Sequence, residues 1–169
     1  MLISEPGTYI LSGTLTDATI TVNSTAEGKV RLVLDSVTLT SANGSPLVVT
    51  AADEVVLVLA DGSTNTITDT SAHLKSDDPD APNAATLSMA DLTIAGTGTP
   101  TVTSNNADAI ASKDGLVVSS GTLALTAGDD GLRGKDYVII EGGTIDVKSG
   151  GDAIKSTNET DDTVGLVMI

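Results

Sequence analysis

The chain has 169 residues, which suits one domain, and its formal net charge of −15 comes from 23 acidic and 8 basic residues. This acidity argues against nucleic acid as a partner, because a nucleic-acid-binding surface needs clustered Lys and Arg. The chain has no Phe, Trp or Cys and two Tyr, so aliphatic side chains must fill the core without disulfides. No apolar run of about 18 residues is present, so membrane insertion is not expected.

Residues 1–68 predict short strands separated by polar turns. β-Branched residues dominate this part of the chain, and Asn-Gly at 43–44 and Asp-Gly at 61–62 mark turns. No stretch has the caps and the apolar period of a useful amphipathic helix. The predicted strands are Thr8–Ser12, Thr19–Asn23, Val30–Leu34, Val37–Thr40, Leu47–Thr50, Val55–Leu59 and Asn65–Thr68.

Residues 69–83 interrupt this strand pattern. The segment contains two prolines and four aspartates and predicts an acidic loop extruded from one coil. It also contains His73, the one histidine of the chain, with no Ser or Cys nearby in the context of a catalytic triad. Acidic groups that could bind a ligand or complete a metal site are Asp77, Asp78 and Asp80 with Asn83 in this loop, and Glu159, Asp161 and Asp162 near the C-terminal end.

A 22-residue repeat is the main feature of the C-terminal part, where Asp108, Asp130 and Asp152 recur at that period. The same period relates Ile110, Leu132 and Ile154; Asp114, Asp136 and Asn158; Thr122 and Thr144; and Leu125 and Val147. Short β-prone runs repeated at a fixed period predict an all-β, right-handed parallel β-helix with coils of about 22 residues. We expect one domain over residues 1–169 with roughly 7–8 coils. An antiparallel sandwich is the alternative, although its hairpins need no fixed register.

In such a solenoid the repeated aspartates would stack in columns about 4.8 Å apart and repel one another. Calcium, which takes six to eight oxygen ligands, would relieve this repulsion. The alternative is that the aspartates occupy turns, face water, or pair with Lys113, Lys135 and Lys155. The predicted metal ligands are Asp108, Asp114, Asp129, Asp130, Asp136, Asp152 and Asn158, and the predicted ligand-binding residues are Arg133, Lys135, Lys155, Asp77, Asp78 and Asp80.

Thr-x-Thr pairs also recur along the chain. They are Thr14/Thr16, Thr19/Thr21, Thr38/Thr40, Thr66/Thr68 and Thr101/Thr103. These pairs share no common period, so ordinary β-propensity explains them better than a flat array that binds ice.

Several segments together resemble a bacterial family of secreted carbohydrate-binding domains. They are residues 7–15 (GTYILSGTL), 29–40 (KVRLVLDSVTLT), 82–98 (PNAATLSMADLTIAGTG), 130–145 (DGLRGKDYVIIEGGTI) and 150–162 (GGDAIKSTNETDD). The resemblance implies a right-handed parallel β-helix, similar in fold to pectate lyases, that binds calcium and plant polysaccharides such as polygalacturonate and cellulose. It implies a binding protein more than an enzyme.

The expected function is that of a secreted or cell-surface, calcium-binding β-helix that binds acidic polysaccharide. The scarcity of aromatic residues favours an acidic glycan over crystalline cellulose, and no signal peptide is present in this segment. One alternative is a filament or adhesin subunit, because the chain stops in mid-repeat and open β-helix edges could stack end to end. A weaker alternative is a calcium-dependent polysaccharide lyase that uses Arg133, Lys135 or Lys155.

Overall fold

A computed structural model describes residues 1–71, 81–161 and 163–169. The described residues form strands and turns, and no helix among them is long and apolar enough to cross a membrane. The strands are β1 (Leu2–Ile3), β2 (Gly7–Thr16), β3 (Ile20–Asn23), β4 (Lys29–Ser41), β5 (Leu47–Ala51), β6 (Glu54–Leu59), β7 (Thr64–Asp69), β8 (Ala84–Ser88), β9 (Leu92–Gly96), β10 (Thr99–Ser104), β11 (Asp108–Ser112), β12 (Gly115–Val118), β13 (Thr122–Ala127), β14 (Leu132–Gly134), β15 (Tyr137–Ile140), β16 (Thr144–Ser149), β17 (Ile154–Ser156) and β18 (Leu166–Met168).

The strands stack in parallel to form a solenoid with three faces. The first face is the seven-stranded sheet β1-β3-β5-β8-β11-β14-β17. The second face contains the N-terminal halves of β2 and β4 followed by β6, β9, β12, β15 and β18. The third face contains the C-terminal halves of β2 and β4 followed by β7, β10, β13 and β16. Each coil therefore passes from the first face to the second and then to the third.

The predicted all-β parallel solenoid is confirmed, with about six turns of about 24 residues. The 22-residue period holds in the last coils, where Ile110 pairs with Leu132 and Leu132 pairs with Ile154. Earlier coils are longer because their turns carry extra residues, so Leu47 pairs with Thr86. The prediction of 7–8 coils is too high because it divided the whole length by the shortest period.

The core consists of stacked aliphatic side chains that alternate with outward-facing residues. On the second face, Leu32 pairs with Leu57, Leu57 with Ile94, and Ile94 with Val118, and all four are at most 3% exposed. Complete burial of one such side chain stabilises a fold by about 1.5–3 kcal/mol. Narrow columns of this kind account for a core built without Phe or Trp.

Glycine is required where successive turns lie directly on one another. Gly121 and Gly143 both have positive φ, of 112° and 99°, a region that L-residues other than glycine rarely adopt. A Cβ on Gly143 would also lie 2.6 Å from the Gly121 carbonyl oxygen. These turns connect the second face to the third and keep the strands on both sides in register.

The Thr-x-Thr pairs require a correction to the sequence interpretation. Four of them lie in register on the third face. The order of these pairs from strand to neighbouring strand is Thr14/Thr16, Thr38/Thr40, Thr66/Thr68 and Thr101/Thr103. The remaining pair lies elsewhere, since Thr21 belongs to β3 on the first face. The apparent lack of a common period arises because turns of different length separate strands that still stack with equivalent residues aligned.

A buried asparagine connects two coils at the bend between the second and third faces. Asn65 is 0% exposed; its Oδ1 accepts a hydrogen bond from the Val37 N–H at 3.0 Å, and its Nδ2 donates to Ser63 Oγ at 2.9 Å. The Val37 N–H lies just after Ser36, whose φ of 59° marks the bend within β4. Asn65 therefore satisfies a backbone donor at the bend.

We predict that Asn65→Ala lowers the free energy of unfolding by about 1–3 kcal/mol, because the Val37 N–H would remain buried without an acceptor. Urea unfolding of the two proteins measures the difference. The matched control is Asn43→Ala, since Asn43 is exposed in a turn and its loss should change stability by less than about 0.5 kcal/mol. Equal effects of the two substitutions would contradict the assigned role of Asn65.

Candidate functional site

The aspartate corner comprises Asp108, Asp129, Asp130 and Asp152, at the corner where the chain passes from the third face to the first. The predicted vertical register of Asp108, Asp130 and Asp152 is confirmed by two equivalent hydrogen bonds. The Asp130 N–H donates to Asp108 Oδ1 at 3.0 Å, and the Asp152 N–H donates to Asp130 Oδ1 at 2.8 Å. Asp108 and Asp130 thus each accept a backbone hydrogen bond from the next coil, and hydrogen bonds to a charged acceptor are among the stronger ones.

Two basic side chains lie over this column and neutralise part of its charge. Arg133 Nη2 is 2.7 Å from Asp108 Oδ2, while Lys155 Nζ is 3.5 Å from Asp130 Oδ2 and 3.2 Å from Asp152 Oδ2. Arg133 and Lys155 pair in register on the first face. Arg133 therefore contacts Asp108, and Lys155 contacts Asp130, each one coil earlier. In both aspartates Oδ1 accepts a backbone N–H while Oδ2 faces the basic side chain.

The corner brings three carboxylates close together. Oxygen atoms of Asp108, Asp129 and Asp130 lie within 4.8 Å of one another; Asp108 and Asp130 are buried and Asp129 is exposed. Burial raises the pKa of Asp108 from 3.8 to about 6, and the ion pair with Arg133 opposes that shift. Among the four carboxylates and two basic groups of the corner, two negative charges remain in excess.

Gly151 leaves room for these carboxylates. It is the residue before Asp152, and its N–H donates to the Asp129 carbonyl at 2.9 Å. A Cβ on Gly151 would lie 2.5 Å from Asp130 Oδ1 and 2.7 Å from Asp129 Oδ1. A larger residue would push both side chains outward, so glycine lets them lie close to the backbone of the next coil.

The other predicted metal ligands lie at a different edge, where the first face passes to the second. Asn158 Nδ2 donates to Asp136 Oδ1 at 2.8 Å, one coil above Asp114. Burial raises the pKa of Asp114, and the carboxylates of Asp91 and Asp136 raise it further. These residues follow Asp108, Asp130 and Asp152 by six positions, or about 20 Å of extended chain. One ion cannot bind both groups.

Two members of this second edge, Asp91 and Tyr137, were not among the residues predicted from the sequence. Tyr137 Oη donates a hydrogen bond to Asp91 Oδ1 at 3.0 Å, and the same oxygen accepts the Gly115 N–H at 3.0 Å. Burial is the main cause, and the hydrogen bond to Asp91 the second cause, of a rise in the pKa of Tyr137 to about 12. The available signal was the position of Asp91 directly before β9, since Asp114 and Asp136 likewise precede β12 and β15.

The remaining predicted residues fall into two groups. Lys135 is exposed and belongs to the second edge, where its backbone N–H donates to the carbonyls of Ser112 and Asp114. It therefore does not continue the column of Arg133 and Lys155. The predicted residues Asp77, Asp78 and Asp80, together with His73 and Asp162, lie outside the described residues.

The fold of this chain matches that of a protein of known structure. A solved structure described as the polysaccharide lyase-like protein from C. thermocellum, in a gadolinium derivative, superposes on 99% of this chain with a TM-score of 0.92. The two chains are 35% identical, and the match covers 68% of that chain.

Sequence comparison defines the family. The family model described as carbohydrate-binding domain-containing protein matches residues 1–169, and the chain belongs to this family. A carbohydrate-binding domain-containing protein of Acetivibrio thermocellus is 37% identical over 126 residues, which are 74% of this chain and 44% of that relative. The chain therefore spans less than half the length of this curated relative.

We predict that Asp108 makes stability depend on pH. Its pKa is about 6 in the folded state against 3.8 ordinarily, so between these values the folded state binds a proton that the unfolded chain has released. The free energy of unfolding should therefore fall as pH rises from 4 to 7, by about 2 kcal/mol more in the wild type than in Asp108→Asn.

Urea unfolding in chelator at pH 4, 5, 6 and 7 measures this difference. Asn removes the titrating group but keeps an oxygen that can accept the Asp130 N–H. Parallel stability profiles for the two proteins would show that Asp108 does not titrate in this range.

Proposed function

We propose that this domain binds acidic polysaccharide through calcium ions held at the aspartate corner. The observation that carries the proposal is the group of Asp108, Asp129 and Asp130, with carboxylate oxygens within 4.8 Å and two negative charges of the corner unpaired. Membership of a carbohydrate-binding family supports a glycan as the partner. A divalent cation would balance the excess charge and leave coordination positions for a second anionic ligand.

The donor set fits calcium. Carboxylate and carbonyl oxygens are its usual ligands, and neither His nor Cys, which softer metals favour, is found among the described residues of the corner. Asp129 is exposed and would contribute its carboxylate, with Asp108, Asp130 and Asp152 as the neighbouring ligands. The relative of known structure was obtained as a gadolinium derivative, and Gd³⁺, like Ca²⁺, is a hard cation that prefers oxygen ligands.

Electrostatics favour a uronate polymer as the glycan. A chain of net charge −15 repels polyanions, and bound calcium would reverse that repulsion locally by binding carboxylates from both partners. Arg133 and Lys155 lie beside the corner and would provide further contacts to uronate carboxylates.

The basic groups of the corner favour binding over catalysis. A lyase needs a base to remove a proton next to the uronate carboxylate. The hydrogen bond to Asp152, together with the Asp130 carboxylate, raises the pKa of Lys155, so this amine stays protonated at neutral pH. Arg133 is held in an ion pair with Asp108 and is charged at every physiological pH.

Two further parts of the proposal concern location and assembly. We place the protein outside the cell or at its surface, where polymeric uronates occur. We also propose that copies of the solenoid associate end to end. Sedimentation at increasing protein concentration tests this association.

We predict that immobilised polygalacturonate retains the wild-type protein with calcium and releases it when chelator is added. Asp130→Asn combined with Asp152→Asn should reduce retention at least tenfold, because two of the ligands lose their charge. Asn keeps an acceptor for the backbone N–H at position 152. Calcium should also raise the melting temperature of the wild type and not that of this double variant.

The matched control combines Asp114→Asn with Asp136→Asn, which removes the same charge from the second edge. This variant should retain the glycan as the wild type does. If the control loses retention and the corner variant keeps it, the site lies at the second edge. A melting temperature that does not change after verified removal of calcium would contradict calcium binding.

We also predict that no unsaturated product accumulates when the protein is incubated with polygalacturonate and calcium, since the two basic side chains of the corner, Arg133 and Lys155, stay protonated. Ultraviolet absorbance of the unsaturated uronate measures this product. Its appearance in the wild type, with loss in Arg133→Ala or Lys155→Ala, would establish a lyase and overturn the assignment as a binding protein.

A further inference from the structure

The outer side of the third face carries a regular array of threonines, here called the threonine face. One long column contains Thr14, Thr38, Thr66 and Thr101, followed by Ala124, and the next contains Thr16, Thr40, Thr68, Thr103 and Thr126. A shorter column beside them adds the in-register pairs Thr64–Thr99 and Thr122–Thr144. All of these threonines are exposed or half-buried. Rows of hydroxyl and methyl groups therefore face solvent along the solenoid.

The spacing of the array is fixed by the sheet that carries it. Pairing between β4, β7, β10 and β13 runs without a shift of register through the threonine positions. Between the two long columns lies a column of core residues, each at most 2% exposed, which are Leu39, Ile67, Val102 and Leu125. The threonines therefore form a two-dimensional lattice with steps of about 4.8 Å between strands and about 6.6 Å along each strand.

The threonine face is uncharged, although the chain as a whole is strongly acidic. From β2 to β13 the two long columns contain threonine and one alanine, and charge enters at β16 with Asp146 and Lys148. Within the described part of the chain, the hydroxyl groups of the two long columns make no hydrogen bond to protein. These hydroxyls are therefore available to water, and no charge among them orients that water around an ion.

The steps of this lattice are close to those of ice. Hydrogen-bonded oxygens lie about 2.75 Å apart, so a tetrahedral network of water places second-neighbour oxygens about 4.5 Å apart. The repeat along the hexagonal axis of that network is eight-thirds of the bond, or about 7.3 Å. The strand spacing differs from the first distance by about 0.3 Å, and the step along a strand differs from the second by about 0.7 Å. The larger difference occurs only once between the two long columns and does not accumulate.

We propose that the threonine face binds ice. The sequence interpretation set this function aside because the Thr-x-Thr pairs share no common period, and strand pairing removes that objection by giving the pairs a common spacing. This function is separate from glycan binding at the aspartate corner, since it uses another face of the solenoid and needs no cation.

Threonine suits ice because each side chain orders water in two ways. Its hydroxyl group both donates and accepts hydrogen bonds, and its γ-methyl group restricts the orientation of the water next to it. Because Thr is β-branched, few rotamers are open to it and the positions of these groups are nearly fixed. Water bridging to a protein in the liquid loses entropy when it is held, whereas water in ice has already lost it. The face should therefore favour ice over liquid water.

The test measures thermal hysteresis, which is the gap between the melting and freezing points of a single ice crystal, and the partition of protein into slowly growing ice. Chelator is present in both measurements. The wild type should show hysteresis and enter the ice. Thr66→Arg combined with Thr103→Arg should reduce both readings at least tenfold, because the long charged side chains would hold the face away from the ice.

The matched control combines Thr8→Arg with Thr93→Arg, which adds the same charge to the second face. Thr8 is exposed and Thr93 half-buried there, and both readings should equal those of the wild type. The milder pair Thr66→Ser and Thr103→Ser keeps the hydroxyls and removes the methyl groups, so it should weaken both readings severalfold. It decides the outcome if circular dichroism shows that the Arg pair does not fold.

Two results would overturn the proposal. The first is a wild type that shows no hysteresis and stays out of the ice, or folded threonine variants that are as active as the wild type. The second is a wild type without ice activity that sediments as a dimer and becomes a monomer in the Arg pair, because the threonine face would then be a contact between copies of the chain.

Discussion

The register between successive parallel strands is the constraint on which the rest of this structure depends. Equivalent residues of neighbouring coils lie about 4.8 Å apart, so a residue type that recurs once per coil becomes a continuous row. For aliphatic residues this produces the core columns. For aspartate it produces like charges that repel by roughly 1 kcal/mol per pair even in water, and the fold must compensate for them.

The aspartate corner shows how that compensation works. The two oxygens of Asp108 have separate partners, because Oδ1 accepts the Asp130 N–H and Oδ2 lies 2.7 Å from Arg133. Asp130 repeats the arrangement one coil later with the Asp152 N–H and Lys155. The basic residues are fewer than the carboxylates, and this imbalance is the physical reason for proposing a bound cation. Breaking either ion pair would leave a largely buried charge without a partner.

The same register produces a second surface of opposite character on the third face. There the repeated residue is threonine, which carries no charge, so its stacking costs no electrostatic energy and fits the pleated surface well. The aspartate corner and the threonine columns therefore both derive from the stacking of parallel strands.

The sequence by itself determined the fold class and the Asp column, because the last coils contain no insertions and the 22-residue period survives from Asp108 to Asp152. It did not determine which aspartates share a site, because Asp108 begins β11 and Asp114 lies just beyond the other end of that strand. Nor did it reveal the threonine columns, where 28 residues separate Thr38 from Thr66 and 35 separate Thr66 from Thr101. Only the tertiary structure decided these features, because strand pairing restores alignment wherever a turn absorbs the extra residues.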